Sequence, residues 1–425
     1  MDYLEARKFL QSVSKIGITL GLENIKNLLQ QLGNPQDNLK FVHIAGTNGK
    51  GSTLAYISTI TEIAGYKTGR YITPAVSDER EIIQINRTNI TKKDFAKQMT
   101  KIKKAIEKMC QKKMPHPSTF EIETALAFLH FSANNCDIVI METGMGGKTD
   151  ATNIIKKPLA CVFTTVSRDH MEFLGNTIAE LTYAKAGIIK KGAAVIYGKL
   201  PKEAEKIIKA TAQPTKNKLH FANPTNITIE TPQLPFTQKF SYKGLKNITI
   251  HLLGAHQVAN AALAIETVSS LKAHDFDITD EHILAGLEAT RWFGRLSIMQ
   301  SENPVVIVDG AHNEESALVL ANTLESLFPD SLIIGVMGVF KDKEVAQILT
   351  AVKPVMNRLY TVALKDKSRT VSAAVLAKFA TEVGIDAKSY LSFDKAIDDA
   401  LEIADVVVVF GSLSHLSDAS KHLKS

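Results

Sequence analysis

Short apolar runs alternate with longer amphipathic stretches through most of the chain. KFVHIA (Lys40 to Ala45), DIVIMET (Asp137 to Thr143), LACVFTT (Leu159 to Thr165) and AAVIYG (Ala193 to Gly198) are apolar along most of their length. Runs this short, rich in β-branched residues, predict strands covered on both faces, as in a parallel sheet. FEIETALAFLHFSAN (Phe120 to Asn134) has helical spacing. From Leu219 to Leu253 the texture changes to alternating residues with turn signals, which predicts antiparallel strands attached to the parallel sheet. A second α/β series follows the only tryptophan, Trp292. Its strands are PVVIVDG (Pro304 to Gly310), SLIIGVMG (Ser331 to Gly338), RLYTVAL (Arg358 to Leu364) and ADVVVVFG (Ala404 to Gly411). The connector TRWFGRLS (Thr290 to Ser297) places a boundary there, giving domains 1–294 and 295–425. The fold class is α/β, and no internal repeat or low-complexity segment interrupts it.

Composition narrows the picture only a little. The chain has 425 residues and 45% hydrophobic content, enough for more than one core. Lys plus Arg is 50 and Asp plus Glu is 44, so the net charge is 50 − 44 = +6. Spread over this length, that suits anionic small molecules and argues against nucleic acid as a partner. The basic run Lys101 to Lys113 lacks interleaved aromatics and fits the solvated face of a helix. Cys110, Cys136 and Cys161 form no C-x-x-C pair, so neither a disulfide framework nor a cysteine zinc site is indicated. The start MDYLEARKFLQ has no signal-peptide pattern, and no stretch reaches the roughly 18 to 20 apolar residues of a membrane span. A cytoplasmic location without membrane association is the expectation.

The candidate chemistry falls at strand ends, where open α/β sheets place their ligands. FVHIAGTNGKGST (Phe41 to Thr53) runs from a strand through Gly46, Thr47, Asn48, Gly49, Lys50, Gly51 and Ser52 into a helical pattern. The common phosphate loop puts its hydroxyl directly after the lysine. Here Gly51 intervenes before Ser52 and Thr53. Glycines that let several N–H groups face one anion, a lysine and a helix N-terminus still predict phosphate binding. The plain alternative is a glycine-rich turn without a ligand. Glu142 closes a buried strand, where a carboxylate needs pairing or a metal such as Mg²⁺; the plain alternatives are a helix N-cap and a salt-bridge acid. Asp169 and His170 follow another strand, and a lone histidine there also suits a structural role. Lys185 stands in the apolar stretch AKAGII, which calls for a reason. Asp309 and His312, in PVVIVDGAHNEES, end a strand of the second domain and suit either a capped turn or charge supplied to a cleft together with Arg295.

Seven motifs then appear in order: HIAGTNGKGST, METGMGGKTDATN, DHMEFLGNT with AKAGIIKKG, LLGAHQVANAALA, GRL, VDGAHN and GVFKDKE. The set resembles the folylpolyglutamate synthase and dihydrofolate synthase family, a branch of the Mur ligase superfamily. The displaced hydroxyls after Gly51 match that family's form of the loop. The resemblance implies an N-terminal P-loop ligase domain and a smaller, Rossmann-like C-terminal domain. It implies ATP-dependent addition of L-glutamate to a folate through an acyl phosphate, possible dihydrofolate synthesis from dihydropteroate, and a monomer. On matching positions, the loop from Gly46 to Ser52 holds phosphates, with Lys50 among the catalytic residues. Thr73, Glu142 and His170 match Mg²⁺ ligands, one of two expected ions. Lys185 matches a lysine that is carbamylated. Asn260, Arg295 and Asp309 match nucleotide contacts, and His312 a catalytic position.

Two positions depart from the pattern. Thr73-Pro74-Ala75-Val76 stands where the family shows S-P-H-L, so the hydroxyl is kept and the histidine, near the family's pterin site, is Ala75. Lys148 replaces an arginine. Two other readings therefore stand beside the folate ligase: a Mur-type ligase for another carboxylate acceptor, and an ATP-binding regulator without catalysis. The second predicts loss of Glu142, His170 or Lys185, and all three positions are occupied.

Overall fold

The computed structural model describes every residue except 15, 16, 18, 19, 77, 232–234, 424 and 425. The chain forms two compact units. The first comprises Met1–Thr228, Ser241–Ile248 and Ala259–Ala289; the second comprises Ile229–Phe240, Thr249–Val258 and Thr290–Ser425.

The first unit is built on an eight-stranded sheet. Its strands are β1 (Phe41–Ala45), β2 (Thr68–Tyr71), β3 (Ile83–Ile85), β4 (Thr88–Asn89), β5 (Ile138–Glu142), β6 (Ala160–Phe163), β7 (Ala194–Tyr197) and β8 (Leu219–Phe221). Their order is β4-β3-β2-β5-β1-β6-β7-β8. All pairs from β2 to β8 are parallel, and β3 and β4 continue the edge antiparallel. The four predicted strands occupy β5, β1, β6 and β7, every residue of them buried. This is the burial that continuous apolar runs imply when helices cover both faces. Helix Thr119–Ala133 answers the predicted Phe120 to Asn134 pattern, and a Ser118–Glu121 capping box starts it. Ser118 accepts from the Glu121 N–H while the Glu121 carboxylate accepts from the Ser118 N–H, so two orphan donors are satisfied. The basic run lies on helix Lys92–Gln111, which buries Ile102, Ala105, Ile106 and Met109 and leaves Lys101, Lys103, Lys104 and Lys108 exposed.

The segment Leu219 to Leu253 differs from its prediction in two ways. Leu219–Phe221 pairs parallel with β7 as the edge strand of the main sheet. The remainder forms a separate three-stranded sheet, with β10 (Gln238–Tyr242) between β9 (Ile227–Glu230) and β11 (Leu245–Ile250). Residues 232–234 of that segment lie outside the described residues. Lys243 and Gly244, both at positive φ, join β10 to β11 in a tight hairpin turn.

The second unit holds a six-stranded sheet of β12 (Ser297–Gln300), β13 (Val305–Val308), β14 (Ile333–Met337), β15 (Arg358–Thr361), β16 (Asp386–Ser389) and β17 (Val406–Phe410). Their order is β12-β13-β17-β14-β15-β16, with only β12 antiparallel. Val406 to Phe410, central in this sheet, is fully apolar and fully buried. Its own core includes Ile307, Leu320, Leu324, Ile348, Leu359 and Phe410.

Candidate active site

β1 stops at Ala45 and the helix Lys50–Ile63 starts five residues later. Gly49 makes the turn at φ 83°, a conformation that residues with a Cβ rarely adopt. A Cβ there would also meet Asn260 Oδ1 at 2.7 Å, so buried Asn260 stands directly against the loop. A Cβ at Gly46 would overlap the Thr164 hydroxyl.

The end of β6 clamps this loop. The Thr164 hydroxyl donates to the Asn48 carbonyl (2.6 Å), and the Asn48 N–H donates to Thr165 Oγ1 (3.0 Å). The Thr47 N–H donates to the Thr165 carbonyl (2.8 Å). The Thr47 hydroxyl donates to the Ser167 carbonyl and accepts from the Ser167 N–H, each at 3.1 Å. Lys50 Nζ closes the loop on itself by donating to the carbonyls of Gly46 (3.1 Å) and Thr47 (3.0 Å). A fixed positive charge thus sits beside the N-terminus of a 14-residue helix, whose leading N–H groups favour an anion. Ser52 is buried in the first turn of that helix.

Register brings Glu142 and Thr73 together. Tyr71 lies opposite Met141 in the parallel β2–β5 pair, so the residues just beyond are neighbours. Glu142, only 3% exposed, accepts the Thr73 N–H at 2.5 Å through Oε1. Ala75 packs against the apolar core of this unit. His170 takes a positive φ of 51° before the short helix Met171–Leu174. Its N–H donates to Asp169 Oδ1 (2.9 Å), and its Nε2 lies 3.9 Å from Asp169 Oδ2. Among the described residues, no group of three or more His, Cys, Asp or Glu is placed to hold a metal. A single buried carboxylate agrees with Mg²⁺, which takes oxygen ligands and draws much of its shell from water and phosphate.

Lys185, 4% exposed, lies near the end of helix Ile178–Ala186. The Lys148 N–H donates to the Ala184 carbonyl at 2.7 Å, which stitches this helix to the glycine segment after β5. Sequence reasoning missed what anchors the other side of that segment. Buried Asp150 accepts from the N–H of Met145 (2.8 Å) and of Thr152 (3.0 Å) and from the Thr152 hydroxyl (2.5 Å). Burial pushes the Asp150 carboxyl up, and these bonds oppose the shift. Since the Thr152 hydroxyl donates to Asp150, its oxygen accepts from His43 Nε2, 2.8 Å away. Burial first, then the charge of Lys190, lowers His43 to about 3, so the ring is neutral. A histidine inside FVHIA and an aspartate beside the glycine run were the available signals.

In the second unit one turn gathers Arg295, Asp309 and His312. Asp309 directly follows β13 and accepts the Leu296 N–H (2.7 Å) and the Ala311 N–H (2.8 Å). Burial raises its pKa, and the nearby Arg295 charge lowers it in part. Arg295 donates to the Gly294 carbonyl (3.0 Å), which also accepts the Gly310 N–H (2.8 Å). His312 Nδ1 contacts the Gly310 carbonyl at 2.6 Å, and Asn313 caps helix Glu314–Leu327. The capped-turn reading of this motif is therefore realised in its backbone.

A family model described as the Mur ligase middle domain matches residues 44–268, and one described as Mur ligase, glutamate ligase domain matches 294–413. A dihydrofolate synthase/folylpolyglutamate synthase of Bacillus subtilis (strain 168) is 34% identical over 435 residues, covering 99% of each chain. The chain belongs to the folylpolyglutamate synthase and dihydrofolate synthase family of Mur ligases. Within this family, the folylpolyglutamate synthase of Lacticaseibacillus casei is 30% identical, covering 88% of each chain. The Mycobacterium tuberculosis folylpolyglutamate synthase complexed with ADP and AMPPCP has a TM-score of 0.90 at 27% identity, covering 100% of this chain and 99% of that one. Both family domains, and the α/β architecture of both sheets, are thus present here. No described helix is long and apolar enough to cross a membrane.

Proposed function

We propose that this protein is an ATP-dependent carbon–nitrogen ligase that adds L-glutamate, lengthening tetrahydrofolate, making dihydrofolate from dihydropteroate, or both. The observation that carries the reading is the loop from Gly46 to Ser52, closed by Lys50, with the Glu142 carboxylate ending the adjacent strand. The ATP-binding ligase role is assigned to residues 1–294, and a Rossmann-like domain to 295–425.

The acceptor carboxylate attacks the γ-phosphorus of ATP, ADP leaves, and an acyl phosphate forms. The glutamate amine then attacks the acyl carbon; phosphate leaves, and a proton is released. Two anions must meet in the first step, so their approach needs charge neutralisation. Lys50 supplies a fixed cation, and the loop N–H groups hold the phosphates. Glu142 with Thr73 would hold Mg²⁺, with His170 assigned beside them on resemblance. Bound there, Mg²⁺ would screen the approaching carboxylate from the phosphate oxygens. Asn260 is positioned to fix the loop, because Gly49 lies against its side-chain oxygen. Arg295 and Asp309 are assigned to nucleotide contact, and His312 to the catalytic set.

Lys185 is assigned as a carbamylated lysine serving a second Mg²⁺. The support is burial of a lysine among apolar helix residues. Adding CO₂ would replace an ammonium by an anion suited to a cation. The protein is taken to act as a cytoplasmic monomer.

The acyl phosphate is tested by isotope transfer. An acceptor labelled with ¹⁸O in its carboxylate should deliver one label to inorganic phosphate. Unlabelled phosphate alongside amide product contradicts the mechanism.

A further inference from the structure

β8 is the last strand of the main sheet, so one of its edges has no partner strand. The Val195 N–H donates to the Lys218 carbonyl and the Ala222 N–H to the Tyr197 carbonyl, each at 2.9 Å. These bonds fix which side of β8 faces β7. Backbone groups alternate in direction from one residue of a strand to the next. Those of Leu219 and Phe221 therefore point away from β7, and among the described residues they make no hydrogen bond. The strand is also held ready. Lys216 turns the chain at φ 51°, and Asn217 Nδ2 donates to the carbonyls of Lys190 and Ala193, each at 2.7 Å. A strand ordered in advance lowers the entropy that a partner must offset on binding.

Alongside this edge runs a groove of about 840 Å³ between β8 and helix Lys202–Ala212. Apolar surface is open there: Leu219 is 40% exposed and Phe221 37%. Phe221 stacks on Tyr197 with ring centroids 5.3 Å apart, and Lys209 Nζ lies 5.8 Å from the Tyr197 ring. The charge of the groove is one-sided. Lys202, Lys206 and Lys209 share one face of the helix, and Lys216 adds a cation from the turn. Glu205 is the one acid lining the groove among the described residues, and it is taken up by Lys209 at 2.6 Å. Lys202, Lys206 and Lys216 make no ion pair among the described residues. An edge guarded by lysines resists pairing with a second copy of itself, because like charges would meet. The same lysines attract an acidic partner. Charge thus decides between the two occupants that an open strand edge admits.

We infer that β8 is a docking edge for an extended, acidic segment of a partner protein. The segment adds a strand beside β8 by exchanging hydrogen bonds with the backbone of Leu219 and Phe221. Its side chains alternate between the two faces of the sheet. Those on the side of helix Lys202–Ala212 meet the lysines, so the partner carries Asp or Glu at every second position. The order β1-β6-β7-β8 places this edge about 14 Å across the sheet from the strand that leads into the Lys50 loop. A partner held there stays clear of the phosphate loop, and the inference stands apart from the ligase reading.

The test is binding of a short fluorescent peptide, alternating glutamate and valine, to the full chain by anisotropy. One control is the same peptide with every backbone N–H methylated, which keeps the charge and cannot pair as a strand. A second is a single-stranded oligonucleotide of equal charge. The expected Kd for the first peptide is on the order of 10–100 µM and rises with salt. Methylation should raise it at least about tenfold. Hydrogen exchange at the Leu219 and Phe221 amides should slow in the complex, which attraction between charges alone would not cause. Lys202→Glu combined with Lys206→Glu should weaken binding at least about tenfold. Leu219→Pro deletes an outward N–H and spares the ladder to β7, so it should weaken binding as much. ATP affinity should stay within about twofold in both variants, since neither touches the phosphate loop. If Leu219→Pro does not fold, the methylated peptide and the exchange measurement decide. No binding of the peptide, equal binding of its methylated form, or tighter binding of the oligonucleotide overturns the proposal. So does a dimer of the free chain that Leu219→Pro disperses, and each of these results leaves the ligase reading standing.

Discussion

Lys50 and Glu123 show how little of a residue's role is visible without its neighbours. The sequence placed Lys50 in a phosphate loop, and the structure adds that its ammonium braces the carbonyls of Gly46 and Thr47. Lys50→Ala should therefore lower kcat/KM by at least 100-fold while the protein stays folded; wild-type turnover contradicts the assignment. Glu123 was unremarkable in sequence, one acid in an amphipathic stretch, because an unpaired carboxylate is defined by what fails to contact it. Among the described residues it has no hydrogen bond or ion pair. Burial raises its carboxyl from the ordinary 4.5 to about 7. Between these values the folded state binds more protons than the unfolded chain, so stability falls as pH rises. The contribution is complete below pH 4.5, is lost on rising through about 7, and is at most about 3 kcal/mol. Glu123→Gln should melt higher than wild type at pH 8 and equally at pH 4. Equal melting at both values contradicts the unpaired state.

At the scale of elements, the apolar runs identified the central strands because burial on both faces leaves no room for polar alternation. The edge strands were less legible. β3 and β4 are short, and β8 mixes exposed and partly exposed residues, so its alternation looked antiparallel although it pairs parallel with β7. The loop-to-helix junction was legible from its glycines, while the clamp from Thr164 to Ser167 was not, since it joins segments over 110 residues apart. Gly49→Ala would force a Cβ into a positive-φ position against Asn260. It should destabilise by about 1–3 kcal/mol and weaken ATP binding at least tenfold; unchanged ATP affinity contradicts the geometry. Buried histidines oppose Glu123 in their pH effect. His43 is held near 3 and His415 near 4, both below the usual 6.5. The unfolded chain binds their protons first, so their contribution is present above pH 6.5 and lost as pH falls. Replacing His43 with Gln should flatten the loss of melting temperature between pH 6.5 and 4. An unaltered slope would mean that His43 takes up its proton as readily in the fold as in the unfolded chain.

At the scale of the molecule, the two α/β series were readable as two sheets, whereas the compact units are discontinuous in sequence. Segments 229–240 and 249–258 belong with the second unit, an interleaving that no local pattern announces. The reading of Lys185 also belongs at this scale, because it makes activity depend on dissolved CO₂. Turnover should fall in CO₂-depleted buffer and recover with bicarbonate, and Lys185→Ala should show neither response. Insensitivity of the wild type to bicarbonate contradicts carbamylation. The central claim is ligation itself, and the most direct measurement is Mg²⁺-ATP-dependent ADP release in the presence of L-glutamate. It compares tetrahydrofolate, dihydropteroate and no acceptor. The account predicts release with at least one of the two acceptors, matched by amide product, and only background release without one. Folded protein that binds ATP and releases no ADP with either acceptor would contradict it.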